Sequence, residues 1–330
     1  MPAPTPSAWR VNREPKAVAD RPLDPRDPRV PALIRLMAHS GLGTDACLAA
    51  GALPMPVHFY SPVPDLADLR RRGVWDRRSA LPGIDFREAE QLATLGELGR
   101  ACADECDWPL APTGDPHAFH QNNQSFSYGC AAVLHAMIRT RRPRRVVEVG
   151  SGFSSRVISA ALARNGGQGA PAEYTIIDPE PGPAIATLPS LTRLVPDRVE
   201  LTAPERFEAL GQDDLLFIDS SHMVKIGSDV NFLFLEVLPR LGPGVLVHVH
   251  DISLPGEYPE VYCTNPSFRV FWTEGYLLQA FLAFNSRFEV VLGMSWIMTD
   301  HLDAFRAAFP RWDASQSPAR SGSFWMRRRP

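Results

Sequence analysis

The chain has 330 residues, 45% hydrophobic and 22% charged, with a formal net charge of -3. This length can bury a full core, and the charge supplies no general basic surface for nucleic acid. No apolar run approaches the ~18 residues of a membrane helix.

Residues 1–30 are rich in Pro, Arg and Asp and show no apolar periodicity. They are expected to form a disordered or loosely draped arm rather than a secretory leader. The five cysteines (Cys47, Cys102, Cys106, Cys130 and Cys263) form an odd set without zinc-type pairing. Reduced structural thiols in a cytoplasmic protein are expected. Residues 31–125 alternate short helical patterns with Pro-rich loops, the clearest helix covering 86–106 with Leu92, Leu95, Leu98 and Ala101 near helical spacing. This region reads as a helical cap over a substrate.

From residue 126 the pattern changes. A helix carrying Ala132, Leu134, Met137 and Ile138 is closed by Pro143. Strands are then expected at 146–149, 174–177, 199–201, 215–218 and 244–249, separated by helical stretches. That alternation predicts right-handed βαβ crossovers and a mainly parallel sheet. Two further β-like runs, 288–292 and 323–326, flank a helix at 301–309.

The most informative segment is Val146-Val147-Glu148-Val149-Gly150-Ser151-Gly152. It reads as a buried strand, a glycine turn and a helix start, where a backbone without Cβ can approach a ligand closely. A dinucleotide fingerprint would place a third glycine at 155, and that residue is Ser155. An acid two positions before Gly-x-Gly suits S-adenosylmethionine instead.

Ligands of open α/β sheets lie beyond the carboxyl ends of the strands. The second strand ends at Asp178, whose ionised carboxylate could accept both hydroxyls of a ribose. The fourth ends in Asp219-Ser220-Ser221-His222, and the fifth in His248-Val249-His250-Asp251. Each has an ordinary alternative: Asp178 as a turn residue before proline, Asp219 as a cap, His248 as a core histidine. It is their joint placement that points to a site.

Together with the Gly-Pro-Gly-Val-Leu-Val-His-Val-His-Asp run at 242–251, these motifs resemble the class I S-adenosylmethionine-dependent methyltransferases. Among these they look closest to a bacterial branch of mostly unassigned substrate. Phe59-Tyr60-Ser61-Pro62, Trp272-Thr273-Glu274-Gly275-Tyr276 and Gly322-Ser323-Phe324-Trp325 are similar to that branch, so the resemblance covers roughly 57–326. Cys130-Ala131 departs from the Asp-Ala of many members. The resemblance implies an α/β, Rossmann-like sheet of seven strands, five parallel and a terminal antiparallel pair, in a domain at 126–330. It implies Glu148, Gly150 and Gly152 around the methionine part of the cofactor and Asp178 on its ribose. It places residues near Asp219 beside the sulfonium, and Ser151 and Ser220 are grouped with these. Asn122, Asn123, Phe126 and Tyr128 could close over the cofactor.

The expected reaction is methyl transfer to an oxygen or nitrogen of a small molecule, with His222, His250 or Asp251 as the proton acceptor and Glu274 and Tyr276 lining the acceptor pocket. Two rivals use the same pocket: an enzyme that releases methylthioadenosine, and a non-catalytic cofactor-binding protein. Asp219 and Asp251 stand where catechol-type class I enzymes hold magnesium. With histidines beside them and no third oxygen ligand evident, no metal is expected. The oligomeric state is open, a homo-oligomer included.

Overall fold

The computed structural model describes residues 26–330 except 42, 124, 267–268 and 318–320. Most of the arm expected at 1–30 lies outside the described residues, and Arg29 already begins a helix. Contacts divide the chain into two compact units, 1–72 and 73–330. In the first, α1 (Arg29–Ser40), α2 (Thr44–Ala49) and α3 (Leu66–Arg71) are short helices. Among its described residues only Cys47 is buried. The Asp65 carboxylate caps α3 by accepting from the amides of Ala67 and Asp68.

In the second unit α4 (Glu88–Cys102) and α5 (Tyr128–Arg141) precede β1 (Arg145–Val149). Ser127 caps α5 by accepting from the Cys130 amide at 3.3 Å, and the helix ends two residues before Pro143, as a proline requires. Next come α6 (Phe153–Gly167), β2 (Glu173–Ile177), β3 (Arg193–Val195), α7 (Glu205–Glu208) and β4 (Leu215–Ile218). They are followed by α8 (Asp229–Phe232), β5 (Leu246–Val249), α9 (Glu260–Thr264) and α10 (Glu274–Leu282). The chain closes with β6 (Phe288–Gly293), α11 (Met294–Asp300), α12 (Leu302–Ala308) and β7 (Phe324–Arg328).

The strands form one sheet in the order β3-β2-β1-β4-β5-β7-β6. The first five run parallel, and β7 is antiparallel to both β5 and β6. Both faces are covered: α4, α5, α6, α11 and α12 pack on one, and α7, α8 and α10 on the other. That is why β4 and β5 are buried along their whole length. The expected seven-stranded α/β sheet is therefore present. One strand differs. Residues 199–201 form a 3-10 turn, and β3 lies at Arg193–Val195, where it pairs with Thr175, Ile176 and Ile177 of β2. Val199 is buried as a single apolar plug, so its burial mimics a strand signal without any ladder.

Composition suggests a break near 125, but contacts break the chain between 72 and 73. The reason is α4, which packs against α5, α12 and β6. At Gly99 of α4 a Cβ would come within 2.4 Å of the Ala308 carbonyl oxygen. Gly99→Ala is therefore expected to destabilise the protein by about 1–3 kcal/mol. Denaturant unfolding checks this, and a midpoint equal to wild type would contradict the packing.

Candidate functional site

The sheet order reverses between β1, which leads to β2 on one side, and β4 on the other, so the loops leaving them open a crevice. Gly150 and Asp219 meet there. Gly150 has φ +79°, and a Cβ on it would lie 1.9 Å from the Asp219 carbonyl oxygen. The amides of Asp219 and Gly150 donate to Val149 and Ile177 at 2.9 and 3.0 Å, tying the loop ends to the sheet. A Cβ on Gly152 would meet nothing within 4 Å, so open space lies over the start of α6.

Beside that space, the Ser151 hydroxyl donates to Asp178, which also accepts from the Glu180 amide at 2.8 Å. Asp178 is half-buried, so lone pairs remain for hydroxyl groups of a ligand. Open space and a part-exposed carboxylate fit a nucleoside with a ribose diol.

Glu148 is placed differently from a ligand-facing acid. In register it aligns with Ile176, Phe217 and, one strand further, His248, all on the face packed by α5 and α6. It is fully buried, accepting from the Ser154 hydroxyl at 2.7 Å and from Tyr174. Burial pushes its carboxyl up to about 8. Its link to the crevice runs through Ser154, in the first turn of α6. His248 in the same row stacks on Phe217 with ring centroids 4.0 Å apart and bonds Ser323 at 3.1 Å. Burial, then the neighbouring His250, push its pKa far down, so it is a neutral core group.

The ends of β4 and β5 carry the charged cluster. Asp251 and His222 both adopt left-handed backbone, φ +54° and +58°, rare for residues with a Cβ. Gly322 makes room for Asp251, since a Cβ there would lie 2.6 Å from the Asp251 Cα. The Ser221 hydroxyl and amide both bond Asp229, fixing the loop that presents His222. His222 Nδ1 lies 2.8 Å from Glu274 Oε2. Its Nε2 lies 3.3 Å from Asp219 Oδ1 and 3.6 Å from Asp251 Oδ2. Burial works to lower the His222 pKa, but the surrounding carboxylates raise it well above the ordinary value. Burial likewise opposes ionisation of Asp219, yet the charges of His250 and His222 hold it at about 2. Ser220 Oγ is buried without a hydrogen-bond partner among the described residues.

A cavity of about 740 Å³ adjoins β5 and is lined by Trp75, Asn123, Phe126, His250, Asp251 and Tyr262 among others. His250 stacks on Phe126 with centroids 4.9 Å apart. Of the sequence-derived residues, His250 and Asp251 line this cavity, while the Gly150–Gly152 turn, Asp178, Asp219 and His222 lie outside its lining. Tyr128 is in the core, its hydroxyl donating to the Cys106 carbonyl. Glu274 and Tyr276 do not line the cavity either: Glu274 is buried behind His222, and Tyr276 is half exposed with its hydroxyl on Glu257. The pairing of Glu274 with His222 spans 52 residues, and no local spacing signals it.

Residues 147–252 match a family model described as a methyltransferase domain. An uncharacterized protein of Archaeoglobus fulgidus is 37% identical over 112 residues, which are 32% of this chain and 50% of that protein. The chain thus spans about half the length of this curated relative. A Thermobifida fusca crystal structure, provisionally named a methyltransferase, is 13% identical with a TM-score of 0.35 over 61% of this chain and 82% of that one. A Plasmodium falciparum structure, provisionally named protein-L-isoaspartate O-methyltransferase and in complex with S-adenosyl-L-homocysteine, is 12% identical with a TM-score of 0.26. It covers 56% of this chain and 81% of that one.

Glu148 makes a pH prediction. Its folded pKa of about 8 exceeds the unfolded value of 4.5. The stability it contributes is therefore fully present below 4.5 and lost as pH rises to about 8. Glu148→Gln removes this dependence. Thermal melts across that window should show the variant gaining on wild type as pH rises, whereas parallel profiles would contradict the assignment.

Proposed function

We propose, from the match of residues 147–252 to a methyltransferase-domain model, that the chain is a class I S-adenosylmethionine-dependent methyltransferase that transfers a methyl group to an oxygen or nitrogen of a small-molecule acceptor. The observation that carries this reading is the meeting of Gly150, Asp178 and Asp219 around open space where the strand order reverses. S-adenosylmethionine supplies an electrophilic methyl on a sulfonium, and every other contribution comes from the chain. Asp178 accepts from the ribose hydroxyls, Ser151 holds that carboxylate in place, and Gly150 and Gly152 leave room for the methionine part. The ionised Asp219 favours a cationic centre nearby.

In-line displacement breaks the S–CH3 bond and forms C–O or C–N, and the acceptor's proton passes to a base of the chain. Holding the two reactants in line supplies most of the acceleration, with effective molarities reaching ~10⁵–10⁸ M in well-aligned systems. His250 and Asp251 are the proton acceptors this geometry favours, because they line the cavity and His222 does not. The cavity of about 740 Å³ suits a small acceptor, and the free cysteines suit a reducing compartment such as the cytoplasm.

Mass spectrometry of the protein incubated with S-adenosylmethionine, with and without a metabolite extract, tests this reading. S-adenosylhomocysteine formed only with extract, together with a methylated product, is the expected result. Methylthioadenosine above background would replace the reading with sulfonium cleavage. With the acceptor in hand, His250→Ala should lower turnover by about 10²–10⁴-fold while cofactor affinity is kept.

A further inference from the structure

We infer that the acceptor is a neutral polyhydroxylated molecule, a sugar or a glycoside, held through its hydroxyl groups in the cavity beside β5. The reaction it undergoes rests on the methyl-transfer reading, while its binding in the cavity stands apart from that reading and is tested apart from it.

The cavity lies wholly within the unit at 73–330, and its lining is poor in aliphatic side chains. Among the described residues that line it, Ile252 and Met298 are the large aliphatic ones apart from two prolines, against six serines and a threonine. A pocket for an apolar ligand is walled mainly by hydrophobic side chains with a few polar groups among them. Here hydroxyl, amide and charged side chains outnumber the apolar ones.

The hydroxyls are turned so that they accept. Ser295 Oγ donates to the Ser253 carbonyl at 3.2 Å, and Thr299 Oγ1 donates to the Ser295 carbonyl at 2.8 Å. Each has spent its one proton on the backbone and offers lone pairs to a ligand. The carboxylates of Asp76, Asp251 and Glu257 add further acceptors. The ligand that satisfies such a wall is rich in O–H or N–H donors. A phenol brings one or two, and leaving acceptors unsatisfied on burial carries a cost for each.

Charge separates hydroxyls from ammonium. Arg77 and Arg78 line the same cavity, Arg78 pairing with Asp300 at 2.6 Å, and Asp251 faces the charged His222 at 3.6 Å. Four carboxylates therefore stand against three cations, a near balance that favours a neutral ligand over an amine cation or an organic anion. A sugar also presents an apolar C–H face. Trp75 and Tyr262 line the cavity, and the Tyr262 ring is braced edge-on by Trp272 with centroids 4.8 Å apart, a flat surface for that face. A hydroxyl is a weak acid, so methyl transfer to it needs a base. His250 stands in the same lining, its Nε2 3.7 Å from Asp251 Oδ1.

The test is saturation-transfer NMR of the full-length protein, alone and with S-adenosylhomocysteine. The probes are neutral methyl hexosides, deoxyhexosides, pentosides and disaccharides, with catechol and phenethylamine as the phenol and amine comparisons. Saturation transferred to the C–H protons of at least one saccharide is expected. For the tightest of them, Trp75→Ala should weaken binding about 2–10-fold by loss of the aromatic face. Thr299→Val, which removes one hydroxyl and keeps the shape, should weaken it about 2–10-fold as well. Trp75 is half-buried and Thr299 exposed, so both variants should fold, which circular dichroism checks. Transfer to no saccharide would overturn the sugar assignment. Saccharide binding that neither substitution weakens would overturn it equally, since the sugar would then sit elsewhere. S-adenosylhomocysteine formed with a metabolite extract but without saccharide binding leaves methyl transfer standing and removes the sugar. Saccharide binding without S-adenosylhomocysteine formation leaves the sugar site standing and removes the reaction.

Discussion

The crevice depends on a backbone contact that only glycine permits. The turn after β1 passes so close to the end of β4 that the Asp219 carbonyl oxygen occupies the place of a Gly150 side chain. Because β1 and β4 are neighbours in the sheet, this contact sets the spacing between the cofactor side of the crevice and the charged cluster. Asp219 belongs to both. Its backbone closes the β1 turn, and its carboxylate faces His222. A change that pushes the two loops apart would separate Asp178, beyond β2, from Asp219, beyond β4.

The same end of the sheet handles buried polarity in two ways. On the face packed by α5 and α6, Glu148 and His248 are fully buried, and burial favours their neutral forms. Each has a protein partner: Ser154 and Tyr174 for Glu148, Ser323 for His248. Beyond the strand ends, Asp219, Asp251 and Glu274 surround His222 and favour its charged form. Buried charge is tolerated only where it is compensated in this way. The neutral row is scaffold, and the charged cluster is where chemistry can occur.

Much of this was legible in the sequence, for reasons that differ by element. β2, β4 and β5 announce themselves as apolar runs ended by ionisable residues and β1 as one ended by the Gly-x-Gly turn, because both faces of the sheet are covered. β3 is short and only half-buried, so its run is weak, and the apolar Val199 and Leu201 just downstream give the stronger strand signal. The Gly-x-Gly turn and Asp178 carry local signals of backbone freedom and strand-end charge. The direction of the Glu148 side chain does not, since it follows from a row of neighbours contributed by β2, β4 and β5. Glu274 stands behind His222 only because α10 packs against the sheet, a long-range contact with no periodic trace. The boundary at 72 was hidden for the same reason: α4 looks like the helices before it, but its packing joins it to the sheet.

On the proposed reading, the crevice beside Gly150 and Asp178 holds the nucleoside part of S-adenosylmethionine. Calorimetric titration of the wild-type protein and of Asp178→Asn with S-adenosylhomocysteine tests it most directly. One bound molecule per chain, with affinity reduced about 10–100-fold in the variant by loss of hydrogen bonds to a charged group, is the outcome the geometry requires. No binding by the wild type, or equal binding by both proteins, would contradict it.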